Sequence, residues 1–135
     1  MKDDDGKVTV AGYYDRIKLS EAEKKILAAT GDDEAAIKRR TGIRTAEIVG
    51  GNLQEAIQFP SLNVRGMAAA SVGEKASNII PHQAVAEFDL RTTPEAPPEY
   101  LFSLVRKHIE GQGYHLVQGI SQFRHVVQWH LVLAR

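Results

Sequence analysis

The chain has 135 residues, enough for one domain with a modest core and little more. Lysine plus arginine number 17, as do aspartate plus glutamate, so the formal net charge is zero; the basic excess of a nucleic-acid binder is absent and little self-repulsion opposes association. There is no cysteine, which excludes disulfides, thiolate metal sites and a cysteine nucleophile and permits a reducing compartment. No apolar run approaches the ~20 residues of a membrane helix, and the polar N-terminus lacks a signal region. The expectations are therefore a cytoplasmic location with neither a nucleic-acid nor a membrane partner.

The first alternating run, Lys7-Val8-Thr9-Val10-Ala11, reads as a short strand, and Gly12-Tyr13-Tyr14-Asp15 reads as a turn. Ser20-Glu21-Ala22-Glu23 is a capping box, in which serine and glutamate each satisfy a backbone N–H at a helix start. It opens a helix over about Glu21 to Ala29, stopped by Gly31. Asp32 or Asp33 caps a second helix reaching Arg40 before Gly42. Weak helical character follows near Gln54 to Ile57.

Pro60 opens a different regime. Leu62 to Met67 reads as a strand and Ala68 to Ala76 as a small-residue loop. Ala84 to Arg91 alternates with period two, which predicts a strand with one buried face. After Pro94, Pro97 and Pro98, a helix is predicted from Pro98 to Glu110, with Leu101, Leu104, Val105 and Ile109 on one side. Gly111 and Gly113 end it, and Tyr114 to Val117 is a further strand. The tail from Phe123 to Arg135 fits either a strand or a short helix. Strand, strand, helix, strand after Pro60 points to an α+β two-layer sandwich, an antiparallel sheet with helices on one face. Its edges need a cover or a partner, and a second copy is one solution. The expected division is residues 1–58 with short helices, 59–118 as the core of the domain and 119–135 as a C-terminal tail.

Two segments carry a family resemblance. One runs from Pro60-Ser61-Leu62-Asn63-Val64-Arg65-Gly66 through Ser77-Asn78-Ile79-Ile80-Pro81 to Phe88-Asp89-Leu90-Arg91-Thr92-Thr93-Pro94. The other is Asp4-Asp5-Gly6-Lys7-Val8-Thr9-Val10-Ala11-Gly12-Tyr13-Tyr14-Asp15. Both resemble the dimerisation, or lid, domain of metallopeptidase family twenty, which includes aminoacylase, succinyl-diaminopimelate desuccinylase and carnosinase-like dipeptidases. The Gly-Tyr-Tyr-Asp excursion is most similar to the dipeptidase branch. The resemblance covers roughly residues 4–118. It implies a ferredoxin-like lid of four antiparallel strands with two helices on one face, homodimers built through the lids, and zinc on a separate catalytic domain. It also implies that Asn78 and Arg91 project from one end of the sheet toward a ligand held by another part of the protein and contact the substrate, a peptide or N-acyl amino acid. A guanidinium fork fits a carboxylate through two parallel hydrogen bonds, and an amide adds a donor whose state does not change with pH.

The zinc-binding pattern itself is not in this sequence: there is no His-x-Asp and no Glu-Glu pair. The resemblance further implies that the lid's His-Ser-Gly-like turn, first strand and first helix lie upstream of these residues, and Gly119 to Arg135 is unlike the family's return to the catalytic domain. The expectation is a dimerisation and substrate-clamping domain without catalysis or a metal of its own; the alternative is a free-standing homodimerising module.

Other patterns weigh less. The histidines, 82, 108, 115, 125 and 130, are scattered, whereas zinc needs three or four converging ligands. Asp3-Asp4-Asp5-Gly6 fails as a calcium loop, because the register puts Gly12 where a bidentate glutamate is required. Gly50-Gly51-Asn52 lacks the following lysine of a phosphate loop. Ser61, Ser71 and Ser77 sit in no nucleophile elbow. Taken alone, Arg91 is a surface arginine paired with Asp89 or Glu95, and Asn78 a turn residue.

Overall fold

A computed structural model describes residues 1–31, 33–43, 47, 49–118 and 129–132. In chain order these form α1 (Glu21–Ala28), α2 (Glu34–Thr41), α3 (Leu53–Ala56), β1 (Ser61–Ala69), β2 (Ala84–Arg91), α4 (Pro98–Gly111), β3 (His115–Gln118) and β4 (Trp129–Val132). The architecture is α+β, and both strand pairs, β1 with β2 and β3 with β4, are antiparallel.

The helix starts follow from their caps. At α1 the Ser20 hydroxyl accepts from the Glu23 N–H at 3.3 Å, and the Glu23 carboxylate accepts from the Ser20 N–H at 2.7 Å, so the capping box forms as read. At α2 the cap is Asp33, whose carboxylate accepts from Ala36 N–H at 2.8 Å, and Gly42 closes the helix in the left-handed region at φ 71°. Asn52 caps α3 through the Glu55 N–H at 2.9 Å. The Glu34 side chain accepts from the Leu53 N–H at 2.6 Å and ties α2 to α3.

The glycine pair before α3 serves this helix entry. The Gly51 N–H donates to Glu55 at 2.8 Å. Gly50 stands at φ 77°, where an added Cβ would come within 2.8 Å of the Glu55 Cβ. Asp3 likewise closes a turn, its carboxylate accepting from the N–H groups of Asp5 and Lys7, an intrachain role for the acidic run.

The core lies at one end of the β1–β2 ribbon. Val8, Val10, Tyr13, Leu62, Ala96 and Leu101 are buried there, with Tyr14, Ile17, Leu90, Tyr100, Leu104 and Val105 packed against them. It draws on both sides of residue 58. Full burial of one such aliphatic side chain stabilises by about 1.5–3 kcal/mol.

Three expectations are corrected. Lys7–Ala11 is not a strand: Val8 forms one isolated bridge with Lys2, and the chain turns at once as Tyr13 N–H donates to Val10 O at 3.1 Å. Core packing of Val8 and Val10 produces the alternation here, without a ladder. The strands after Pro60 do not join one antiparallel sheet among the described residues; β1 pairs with β2, and β3 with the tail strand β4, as two separate antiparallel ribbons. Nor does β2 bury a face along its length. Leu90 packs into the core, but Val85 and Phe88 are exposed, since α4 and residues 8–17 gather at the Leu62–Leu90 end. Of the tail, Trp129–Val132 is the strand alternative; Phe123 to Gln128 and residues 133–135 lie outside the described residues.

Candidate functional site

Arg91 is the last residue of β2 and stands opposite Ser61, the first residue of β1. Its Nε lies 3.3 Å from a carboxylate oxygen of Asp89, and its side chain is 80% exposed. An ion pair this open to water contributes at most about 1 kcal/mol, so the guanidinium can exchange Asp89 for another carboxylate at little cost.

The backbone that carries Arg91 is held firmly. The buried Tyr13 hydroxyl donates to the Ser61 carbonyl at 3.1 Å. Burial, and secondarily the neighbouring Tyr14, pushes the Tyr13 hydroxyl up to about 12. The Val8 N–H donates to the Tyr14 hydroxyl at 3.0 Å, and Tyr14 meets the rings of Tyr13 and Phe59 edge-on. Tyr100, from α4, donates to the Gly12 carbonyl at 3.0 Å, and the Arg16 guanidinium lies 3.7 Å from the centre of the Tyr100 ring. The Gly-Tyr-Tyr-Asp turn thus joins the start of β1 to α4, and Arg91 projects from the end of the ribbon that this turn anchors.

The expectation that Asn78 and Arg91 leave one end of the sheet together is corrected: the connection that carries Asn78 departs from the end opposite Arg91. Asn78 is exposed in the connection between β1 and β2, after a single 3-10 turn at Gly73–Lys75. That connection leaves β1 at Ala69 and enters β2 at Ala84, whereas Arg91 is at the opposite end of the ribbon, roughly 23 Å along the strand at 3.3 Å per residue. No hydrogen bond joins the two side chains. The last stretch between them, Ala84 to Arg91, is extended as expected.

A feature absent from the sequence reading is the composition of the ribbon's two faces. Leu62 pairs with Leu90, Val64 with Phe88, Met67 with Ala86 and Ala69 with Ala84, and the register shifts between Val64 and Gly66. Paired residues share a face, so the bulge keeps Met67 beside Val64 although they are three residues apart. The paired residues of one face are all apolar, while the other carries Ser61, Asn63, Glu87, Asp89 and Arg91; Arg65, in the bulge, has no partner in the register. The available signal was Gly66, since a glycine inside a strand often marks a bulge.

The family profile of the M20 peptidase dimerisation domain matches residues 15–116. The chain belongs to this family. The matched span contains both Asn78 and Arg91 and most of the second half of the chain, and leaves nearly all of the Asp4–Asp15 segment outside. Among curated proteins, the domain is 27% identical over 115 residues to the Cys-Gly metallodipeptidase DUG1 of Candida albicans, covering 83% of this chain and 24% of that protein. It is equally similar, at 27% identity, to DUG1 of Saccharomyces cerevisiae. The chain therefore spans about a quarter of the length of these relatives.

Solved structures agree. An M20 family metallo-carboxypeptidase from Sulfolobus solfataricus superposes with a TM-score of 0.64 at 29% identity, over 83% of this chain and 30% of that one. The Saccharomyces cerevisiae dipeptidase Dug1p gives a TM-score of 0.60 at 27% identity, over 82% and 24% of the two chains. Human carnosine dipeptidase 1, at 22% identity and a TM-score of 0.65, shares the fold.

Among the described residues, no three His, Cys, Asp or Glu side chains converge as a metal site would require. This domain's described side chains do not fit the metal that the relatives' names imply. No helix among them is long and apolar enough to cross a membrane.

Proposed function

We propose that this domain serves a zinc-dependent peptidase or N-acyl amino acid amidohydrolase of the dipeptidase type, supplying dimer contacts and part of the substrate clamp. The observation that carries the reading is the family match over residues 15–116, supported by metallodipeptidase relatives at 27% identity. Zinc and the water it activates belong, in this reading, to a catalytic domain outside these residues, and the enzyme acts in the cytoplasm as a homodimer.

In this assignment Arg91 holds the carboxylate of a peptide or N-acyl amino acid. Its exposure and its weak tie to Asp89 leave the fork able to accept two parallel hydrogen bonds. Asn78 acts as a separate neutral donor from the β1–β2 connection. Because the connection that carries Asn78 leaves the ribbon at the end opposite Arg91, the two need not serve the same active site of a dimer. The second reading, a free-standing homodimerising module, is favoured by the exposed apolar ribbon face.

Arg91→Ala in the assembled enzyme should raise KM about tenfold to a hundredfold, the loss of a charge-assisted hydrogen bond, with a smaller effect on kcat. Arg91→Lys should recover only part of the loss. Unchanged KM in steady-state assays of both variants would remove Arg91 from the clamp. The isolated chain, supplied with zinc and dipeptides, should show no turnover; hydrolysis above a metal-free blank would contradict the division of labour.

A further inference from the structure

We propose that Asp89 is a built-in competitor for the fork of Arg91, and that Lys2, acting through Asn63, draws it off when a substrate carboxylate arrives. The inference rests on the reading of Arg91 as a carboxylate clamp and assigns the residues that tune its grip.

The period of the strands sets the arrangement. Asp89 and Arg91 lie two residues apart on β2, and Asn63 and Ser61 stand directly opposite them on β1, so these polar side chains share one face at the anchored end of the ribbon. Asp89 holds Arg91 through its Nε, at 3.3 Å, which leaves the terminal nitrogens of the guanidinium for an incoming carboxylate. That carboxylate must either displace Asp89 or sit beside a like charge. In both cases Asp89 weakens its binding.

Opposite Asp89, the face is held by a cation from a distant part of the chain. The Lys2 ammonium donates to Asn63 Oδ1 at 2.8 Å and pairs with Glu47. The Asn63 amide in turn donates to the Ser61 hydroxyl at 3.4 Å. The Lys2 side chain is 24% exposed against 80% for Arg91, so water and salt screen its charge less. Its placement is built into the fold. A backbone bridge ties Lys2 to Val8, a core residue, and Gly6 makes room for Glu47, whose Cγ would lie 2.6 Å from a Cβ there. Glu47 and Asn63 engage two of the ammonium's donors, and the third can serve another carboxylate. Facing side chains on paired strands have Cβ atoms about 5 Å apart. A rotamer change at Asp89 therefore carries its carboxylate from Arg91, on its own strand, towards the Lys2–Asn63 pair across the ribbon. The exchange moves no proton.

Steady-state kinetics of the assembled enzyme test this on a neutral dipeptide and on the same dipeptide with an amidated C-terminus. Asp89→Asn should lower KM for the free acid about fivefold, the most that an exposed ion pair withholds, and should not move KM for the amide. Lys2→Met should raise KM for the free acid about twofold to fivefold, with no further effect once Asp89→Asn is present, because it acts through that carboxylate. Both effects should shrink in about 1 M salt. If Lys2→Met fails to fold, Glu47→Gln decides: it frees the ammonium for Asp89 and should lower KM. An Asp89→Asn variant with unchanged or raised KM, alongside an Arg91→Ala variant with raised KM, would overturn the competitor and leave the clamp intact. A Lys2→Met effect of equal size with and without Asp89 would overturn the part assigned to Lys2. An Arg91→Ala variant with unchanged KM would overturn the clamp itself, and this inference with it.

Discussion

Tyr13 does more than fill space. Its side chain is buried in the core, and its hydroxyl caps the carbonyl of the first strand residue. Tyr13→Phe keeps the ring and removes one hydrogen bond, so it should destabilise by about 1 kcal/mol in urea unfolding, with the Ser61 carbonyl left to find water. Burial raises this hydroxyl from 10.0 to about 12, so the folded state holds the proton more tightly than the unfolded chain. That contribution is complete below about pH 10 and is lost as pH rises towards 12. Unfolding followed by tyrosinate absorbance should show a steep loss of stability in this window, shallower in Tyr13→Phe. Leu101→Ala, at a fully buried core position, should cost about 2–5 kcal/mol. The sequence placed Leu101 on the apolar side of its helix through its spacing with Leu104, Val105 and Ile109. It gave no warning that Tyr13 is core, since a tyrosine in a turn reads as surface until its distant partner at Ser61 is known.

At the scale of elements, local chemistry was legible and lateral pairing was not. Ser20, Asp33 and Asn52 cap the three short helices by side-chain bonds to residues three positions on, interactions written within four residues of sequence. Ser20→Ala should reduce the α1 helix signal and destabilise by about 0.5–2 kcal/mol. Hydrogen bonds from the Ser20 side chain and backbone hold the Glu23 carboxyl below its ordinary value. The cap it completes is therefore present above the usual glutamate range and lost as pH falls through the lowered value. Helicity measured by circular dichroism through that acid range should fall in the wild type and less in Glu23→Gln. The alternation at Ala84–Arg91 correctly indicated a strand, yet its burial depended on which elements pack over it. The same period at Lys7–Ala11 gave no strand, because a turn at Val10 intervenes. Period two reports which side chains face inward; it does not report whether a neighbouring strand is present.

For the whole molecule, the residues that carry the family resemblance were legible as a motif, while their placement depended on long-range register. Asn78 and Arg91 are thirteen positions apart, but the antiparallel pairing of β1 and β2 sends one to the connection and the other to the open end of the ribbon. The bulge at Arg65 brings Leu62, Val64, Met67 and Ala69 to one side of the ribbon, where strict alternation would have split them between two. Among the described residues the core is confined to one end and that face extends away from it, and the proposed homodimer is the reading that would put a second chain beside it. Equilibrium sedimentation of the purified chain, over a range of micromolar concentrations, tests this most directly. The expected result is a reversible equilibrium converging on the mass of two 14.9 kDa chains; a single species of one chain's mass throughout the range would contradict it.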